Sequence, residues 1–349
     1  MENKMLQEIA DANAKLVKGF ETLGKLPEVE IAVTPKTEVY AEDKLRLFHY
    51  DRDTDATVKT PVLIVYALVN TYKMLDLQPD RSYIGNLLNL GLDVYLIDWG
   101  NPSKGDRYLT MDDYINGYIN NCVDVIRKKH KAEKINIISI CQGGTFSVVY
   151  TALHQNKIKN LITQVTPVDF STNDGLLFRW AKDMNFDKLV EGYDGLIPGE
   201  FLNEGFNMLK PTQQFQKQQT LVNVLDDKDK LLNFLRMEKW IAESPAQAGE
   251  CYRQFMKDLY QKNLLIKNEL VVGGKKVNLK NITCPVLNVY ATQDHLVPPA
   301  ASIPLCDNIA STDKETYSFA GGHIGVFVGG KSQKELAPAV ANFLKKRDK

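Results

Sequence analysis

An isoleucine-rich segment, Ile135–Ile140, runs directly into Cys141-Gln142-Gly143-Gly144 and then into apolar residues at helical spacing. A short run dominated by β-branched residues is typical of a strand that is buried on both faces. A strand that turns sharply into a helix needs small residues two positions before and after the turn, and Ser139 and Gly143 hold those positions around Cys141. The segment therefore predicts a tight turn that presents Cys141 at a helix N-terminus, where the helix dipole favours a thiolate.

Similar short runs rich in Val and Ile recur along the chain, with helical patterns between several of them. We predict strands at residues 45–50, 61–69, 93–98, 135–140, 161–168, 285–291 and 315–319. One helical pattern follows a capping residue, Thr110, and another follows Cys141. Alternating strands and helices predict an α/β fold with a mostly parallel sheet that is flanked by helices.

This alternation stops between residues 171 and 277. That stretch shows no clear series of strands, and we predict that it is an insertion that forms a lid or cap over the site. The other predicted units are an N-terminal helical segment at residues 1–30 and a core made of residues 31–170 and 278–349.

Charge and cysteine usage exclude several classes of function. Lys and Arg number 43 and Asp and Glu number 43, so nothing in the net charge favours nucleic acid or an anionic membrane as a partner. The sequence contains no run of eighteen apolar residues, so it offers no transmembrane helix. The stretch from Met1 to Lys25 lacks the apolar centre of a signal peptide, which predicts a cytoplasmic protein. The five cysteines form no C-x-x-C pair and the five histidines no helical H-x-x-x-H pair, so we expect no disulfide framework, no metal and no cofactor.

A nucleophile on such a turn requires an acid after a later strand and a histidine after the last one, in that order along the chain. Asp294 follows the predicted strand 285–291, and His323 follows the predicted strand 315–319. We therefore predict a catalytic triad of Cys141, His323 and Asp294. The role of His295 stays open, because this residue could orient the acid or merely cap a loop.

The oxyanion formed during attack needs two backbone N–H groups. One comes from the residue after the nucleophile, which is Gln142, and the other from the loop after an early strand. We predict that Val69 supplies the second N–H, with Asn70 as the nearest alternative. A cysteine in this position favours acyl transfer over hydrolysis, because a thiolate exchanges readily with a thioester and the acyl-cysteine keeps the energy of the thioester bond.

The chain resembles the catalytic subunits of polyhydroxyalkanoate (polyester) synthases, especially the short class III type. The resemblance covers nearly the whole chain and depends on five motifs, at Leu63–Asn70, Asp93–Gly100, Cys141–Gly144, Gln293–Pro299 and Gly321–Gly325. The family box usually begins with Gly, where this chain has Ser139.

This resemblance implies an α/β-hydrolase fold and polymerisation of short-chain (R)-3-hydroxyacyl-CoA, 3-hydroxybutyryl-CoA foremost, with release of coenzyme A. It also implies a homodimer, association with polyester granules in the cytoplasm, and a second, dissimilar subunit.

Two other functions remain open. The same triad would serve a cysteine hydrolase, such as a thioesterase, a dienelactone-hydrolase-like enzyme or an intracellular polyester depolymerase. A non-catalytic granule or scaffold protein could keep the fold, although it would have no need of Cys141, Asp294 and His323 together.

Overall fold

The computed structural model describes residues 17, 19, 21–24, 26–52 and 54–348. Most of the predicted N-terminal helical segment, residues 1–30, lies outside the described residues. The amphipathic stretch from Met5 to Leu23 is predicted either to dock a partner helix or to pack on its own domain, and only its residues 17, 19 and 21–23 are described.

One eight-stranded sheet forms the centre of the fold. In chain order its strands are β1 Lys36–Glu42, β2 Leu45–Tyr50, β3 Val62–Val65, β4 Val94–Asp98, β5 Ile135–Ile140, β6 Ile158–Gln164, β7 Val286–Ala291 and β8 Lys314–Phe319. Their order across the sheet is β1-β2-β4-β3-β5-β6-β7-β8. Strand β2 pairs antiparallel with β1 on one side and with β4 on the other, and all other neighbours are parallel. The predicted α/β fold with a mostly parallel sheet is confirmed.

One strand was not predicted and two predicted strands have different bounds in the structure, each for a local reason. Strand β1 was not predicted, because it is an edge strand with half-exposed side chains and no apolar run. The strand predicted at 61–69 ends at Val65, and the residues after it form a loop that contains Asn70 at a positive φ of 57°. The strand predicted at 161–168 begins earlier, at Ile158, and ends before Val165, whose φ is 45°.

Helices cover both faces of the sheet. They are α1 Tyr83–Asn89, α2 Asn120–His130, α3 Cys141–Leu153, α4 Leu176–Asp183, α5 Phe186–Gly192, α6 Gly199–Leu209, α7 Thr212–Val224, α8 Lys228–Ala242, α9 Gly249–Gln254, α10 Pro299–Ser302, α11 Leu305–Asn308, α12 Gly325–Val328 and α13 Gly330–Lys345. Two segments are π-helical. Asp113–Ile119 directly precedes α2, and Phe255–Gln261 directly follows α9. Short 3-10 turns lie at Tyr72–Leu75, Lys104–Asp106, Gln155–Lys157 and Leu279–Asn281.

Strands of two or three residues form three small antiparallel pairs outside the main sheet. They lie at Asp76–Gln78 with Arg81–Ser82, Leu196–Ile197 with Gln247–Ala248, and Val271–Val272 with Lys275–Lys276. The residues between β6 and β7 thus carry helices α4 to α9 and only short strands.

Alternate side chains of each central strand enter two hydrophobic clusters on opposite faces of the sheet. In β3, Leu63 and Val65 pack with α2, α3 and the helices after β6, whereas Val62 and Ile64 pack with α1 and α13. Strands buried on both faces read as unbroken apolar runs, which is why the sequence pattern located them. Cys141 touches both clusters, because it lies at the end of the central strand β5.

Candidate active site

Cys141 lies at the junction of β5 and α3, where the backbone reverses direction within one residue. Ile140 is extended, with φ −128° and ψ 130°, and Cys141 follows at φ 52°. A positive φ is unfavourable for a residue with a Cβ and persists only where the surroundings enforce it. Such a backbone at a half-buried cysteine is the geometry of a nucleophile elbow.

Small residues around Cys141 make this turn possible. A Cβ on Gly143 would lie 2.5 Å from the carbonyl oxygen of Val65 and closer still to that of Tyr66. Any side chain at Gly143 would therefore push β3 away from α3. Ser139 fits where the related box usually has Gly, because its Oγ donates to the carbonyl oxygen of Ile162 at 3.0 Å.

The structure brings Asp294 and His323 together at the carboxyl edge of the sheet. Nδ1 of His323 lies 2.6 Å from Oδ2 of Asp294, and both side chains are buried. The other carboxylate oxygen, Oδ1, accepts backbone N–H groups of Leu296 and Val297 at 2.9 Å each. The acid is thus fixed by two amides and turned toward the imidazole, as an orienting acid must be.

The charge on His323 is controlled by its neighbours. Burial opposes the imidazolium, but Asp294 and Cys141 act by charge and by hydrogen bonding and raise the pKa of His323 to about 10. The imidazole is therefore a favourable site for the proton that Cys141 has to lose. All three predicted triad residues lie in one electrostatically coupled group.

The predicted oxyanion residues lie on the two segments beside Cys141. Gln142 is the second residue of α3, and the first N–H groups of a helix have no partner within it. Within residues 26–52 and 54–348, the N–H of Val69 has no hydrogen-bond acceptor. The side chain of Gln142 was not predicted to take part, but its Oε1 accepts the N–H of Leu68 at 3.1 Å and so ties this loop to the elbow.

Two buried tyrosines were also missed. The phenols of Tyr66 and Tyr260 are both coupled to Cys141, since burial raises the pKa of each and the charge of Cys141 raises it further. They are therefore neutral groups in the surroundings of the sulfur. Tyr66 follows β3, but Tyr260 comes from the segment after β6, and no linear pattern links it to Cys141.

His295 is half-buried beside the triad. Burial lowers its pKa, Lys210 and His323 add to that effect, and Asp294 opposes it. It is not hydrogen-bonded to Asp294 in the part of the chain that the structure describes. The arrangement gives it no orienting contact with the acid.

The other four cysteines are buried away from this site. Burial raises the pKa of all four, which are Cys122, Cys251, Cys284 and Cys306. The pKa of Cys284 is raised to about 11. Among the cysteines of the described residues, Cys141 alone is half-buried and the others are buried. Among the described residues no group of three or more His, Cys, Asp or Glu side chains could hold a metal ion, and no helix is long and apolar enough to cross a membrane.

The chain matches two known families over ranges that overlap. Residues 60–330 match the α/β hydrolase fold, and residues 4–87 match the N-terminus of poly-beta-hydroxybutyrate polymerase, PhaC. Among solved structures, a monoacylglycerol lipase from Paleococcus ferrophilus is 15% identical with a TM-score of 0.53, and the alignment covers 86% of this chain and 99% of the lipase. An α/β fold family hydrolase from Bacillus anthracis is 13% identical with a TM-score of 0.51, and that alignment covers 90% and 99% of the two chains. These structures share the fold.

Much closer relatives exist among proteins of known name. The poly(3-hydroxyalkanoate) polymerase subunit PhaC of Allochromatium vinosum is 53% identical over 99% of this chain and 98% of its own length. The PhaC subunit of a Synechocystis species is 49% identical over 98% and 93%. Such identity over whole chains confirms the resemblance seen in the motifs, and the chain belongs to the PhaC family of poly(3-hydroxyalkanoate) polymerase subunits.

Proposed function

We propose that this chain is an acyltransferase that polymerises short-chain (R)-3-hydroxyacyl-CoA, 3-hydroxybutyryl-CoA foremost, into polyester with release of coenzyme A. The observation that carries the proposal is the strained Cys141 elbow, coupled to a buried His323–Asp294 pair, in a chain of the PhaC family. Coenzyme A is the leaving group of the substrate, and the proposed chemistry uses no other cofactor.

The first half-reaction loads the enzyme. With its proton already held by His323, the sulfur of Cys141 attacks the thioester carbon, while the N–H groups of Gln142 and Val69 stabilise the oxyanion. When the oxyanion collapses, the bond to the coenzyme A sulfur breaks and His323 returns the proton to that sulfur. Asp294 keeps the imidazolium oriented throughout, because its second oxygen is already held by two amides.

The second half-reaction lengthens the chain. Neutral His323 takes the proton of a 3-hydroxyl group, whose oxygen attacks the acyl-cysteine and forms an oxoester, and the thiolate of Cys141 leaves. Water competes with this hydroxyl, so the site must exclude it. We propose that the segment at 171–277 serves as the lid, which is supported by the coupling of its Tyr260 to Cys141 and Asp294.

We also propose how the protein assembles. We expect a homodimer that works with a second, dissimilar subunit at the surface of polyester granules in the cytoplasm. Support comes from the family resemblance and from relatives that are named as polymerase subunits.

Release of coenzyme A from (R)-3-hydroxybutyryl-CoA, with the products separated by size, tests the proposal. We expect wild type to release coenzyme A into high-mass polyester and Cys141→Ala to do neither. Coenzyme A release with only free hydroxyacid would identify a cysteine hydrolase instead. Unchanged turnover by Cys141→Ala would exclude the triad, and no acyl-enzyme at all would favour a scaffold.

A further inference from the structure

The loop that follows β3 is anchored on both sides of Val69. On the core side, the N–H of Leu68 donates to Oε1 of Gln142 at 3.1 Å. On the other side, Asn70 contacts Ser244, a residue just after helix α8. Val69, whose N–H we assign to the oxyanion, is therefore held between the elbow and the segment that follows β6.

Ser244 joins three elements through one hydroxyl. Its Oγ contacts the carboxamide of Asn70, lies 3.0 Å from Oδ1 of Asn203 in α6 and 2.9 Å from the carbonyl oxygen of Ile241 in α8. A hydroxyl has one proton and two lone pairs. It can serve all three groups if the carboxamide of Asn70 turns its NH2 group toward Oγ and the hydroxyl proton goes to Asn203 or Ile241. Nδ2 of Asn203 donates to the carbonyl oxygen of Ile241 at 3.0 Å, which closes the network.

Two further contacts join the end of α8 to the same loop. Nε1 of Trp240 donates to the carbonyl oxygen of Thr71 at 2.8 Å, and Trp240 is buried. Nζ of Lys73 forms an ion pair with Glu243 at 2.5 Å. Residues 70, 71 and 73 are thus each held by a residue between positions 240 and 244. None of these contacts involves Cys141, His323 or Asp294.

Backbone conformation makes this loop sensitive to its anchors. Asn70 has a φ of 57°, a region that asparagine tolerates better than most residues but does not prefer. Relaxation of Asn70 to a negative φ would rotate the peptide unit that joins it to Val69. Because Val69 also ends the preceding peptide unit, its Cα would shift, and the N–H of Val69 would shift with it. A donor that moves away from the developing oxyanion loses most of its catalytic effect.

We propose that Ser244 is a positioning residue, which holds the turn at Asn70 and so makes the oxyanion site depend on the docked position of helices α6 and α8. This inference rests on the proposed function, because it uses Val69 as an oxyanion donor. Acylation of Cys141 is then fast only when these helices are seated on the loop after β3.

The first test compares Ser244→Ala with Ser244→Thr, which keeps the hydroxyl. Loss of a whole oxyanion donor costs about 10²–10³ in kcat, and a displaced donor should cost part of that, so we expect kcat for Ser244→Ala to fall about tenfold or more. KM for (R)-3-hydroxybutyryl-CoA should stay unchanged, and Ser244→Thr should recover most of the rate. If Ser244 had a merely structural role, Ser244→Ala would lower the melting temperature without lowering kcat selectively at an unchanged KM.

The second test is a double-mutant cycle with Asn70→Gly, which removes the carboxamide but tolerates the positive φ. Two residues that act through one contact are not additive. We therefore expect Asn70→Gly combined with Ser244→Ala to be no slower than the slower single variant. Independent losses that multiply would contradict the proposed contact.

Arg236→Met is the matched control. Arg236 also joins α8 to the core, since it donates to the carbonyl oxygen of Glu30 at 3.1 Å and to Oε1 of Gln78 at 3.0 Å, and neither acceptor belongs to residues 66–74. Amide hydrogen exchange of residues 66–74 reads the order of this loop without any turnover. We expect faster exchange there in Ser244→Ala and wild-type exchange in Arg236→Met.

The inference is overturned if Ser244→Ala keeps wild-type kcat and wild-type exchange in the loop, or if Arg236→Met reproduces its losses. If the wild type releases no coenzyme A, the proposed function fails, and the exchange comparison still decides the role of Ser244.

Discussion

At the scale of single residues, the geometry of Cys141 depends on the absence of a side chain at Gly143. Gly143 approaches the carbonyl oxygens of Val65 and Tyr66 so closely that a methyl group cannot fit. The sequence pattern predicted small residues at 139 and 143 from the turn alone. It could not predict the bond from Leu68 to the side chain of Gln142, because that contact joins residues far apart in the chain and either amide atom of Gln142 could have pointed to solvent.

Substitution of Gly143 tests this packing. We expect Gly143→Ala to lower the free energy of unfolding by about 2–3 kcal/mol, as overpacking in a close-packed core does, and to abolish turnover. Gly205→Ala is the control, because Gly205 lies within α6 with no atom within 4 Å of the added methyl group. There the change should stabilise by about 1 kcal/mol through helix propensity. Denaturant unfolding measures both, and equal effects would contradict the assigned role of Gly143.

The protonation of His323 gives a second prediction for a single residue. Its pKa is raised to about 10 in the folded protein from an ordinary value of 6.5. The proton is bound more tightly in the folded state, so the stabilisation is complete below about pH 6.5 and is lost as the pH rises through about 10. Nitrogen NMR of the imidazole should find His323 still protonated at about pH 8, where an unperturbed histidine is neutral. Titration near the ordinary value would contradict the coupling to Asp294 and Cys141.

At the scale of helices and strands, local pattern and packing agree where an element is buried. Strands β4, β5, β7 and β8 begin and end within a residue of the predicted bounds. Edge strand β1 and the end of β3 were missed, since half-exposed side chains and a positive φ leave no apolar period to detect. The predicted helix after Thr110 contains a π-helical segment that sequence periodicity does not distinguish from an α-helix.

Helix α7 gives a test at this scale. None of its described side chains is fully buried, whereas α8 buries Leu231, Leu232 and Trp240. Segments with few buried contacts open first, and a protease cuts the open form. We therefore expect limited trypsin digestion to cut first at Lys210, just before this helix, or at Lys217 within it. First cuts between β5 and β6 would contradict the picture of a firm core and a looser insertion.

At the scale of the whole molecule, the sheet topology assembles the site. Strands β5, β7 and β8 are distant in sequence, but the parallel order places their carboxyl ends along one edge, where Cys141, Asp294 and His323 meet. The chain order of these residues allowed their prediction because the turn, the acid loop and the histidine loop each follow a recognisable strand. The contacts that the segment between β6 and β7 makes with the oxyanion loop could not be predicted, because helix positions in an insertion are set by tertiary packing.

In the proposed mechanism, Cys141 alone carries the acyl chain. The most direct measurement is peptide mass mapping after brief reaction with (R)-3-hydroxybutyryl-CoA, in wild type and in Cys141→Ala. We predict hydroxybutyryl units on Cys141 in wild type and on no cysteine in Cys141→Ala, because Cys122, Cys251, Cys284 and Cys306 are buried with raised pKa values. Acyl groups on any of those four, or polymer formation by Cys141→Ala, would contradict the account.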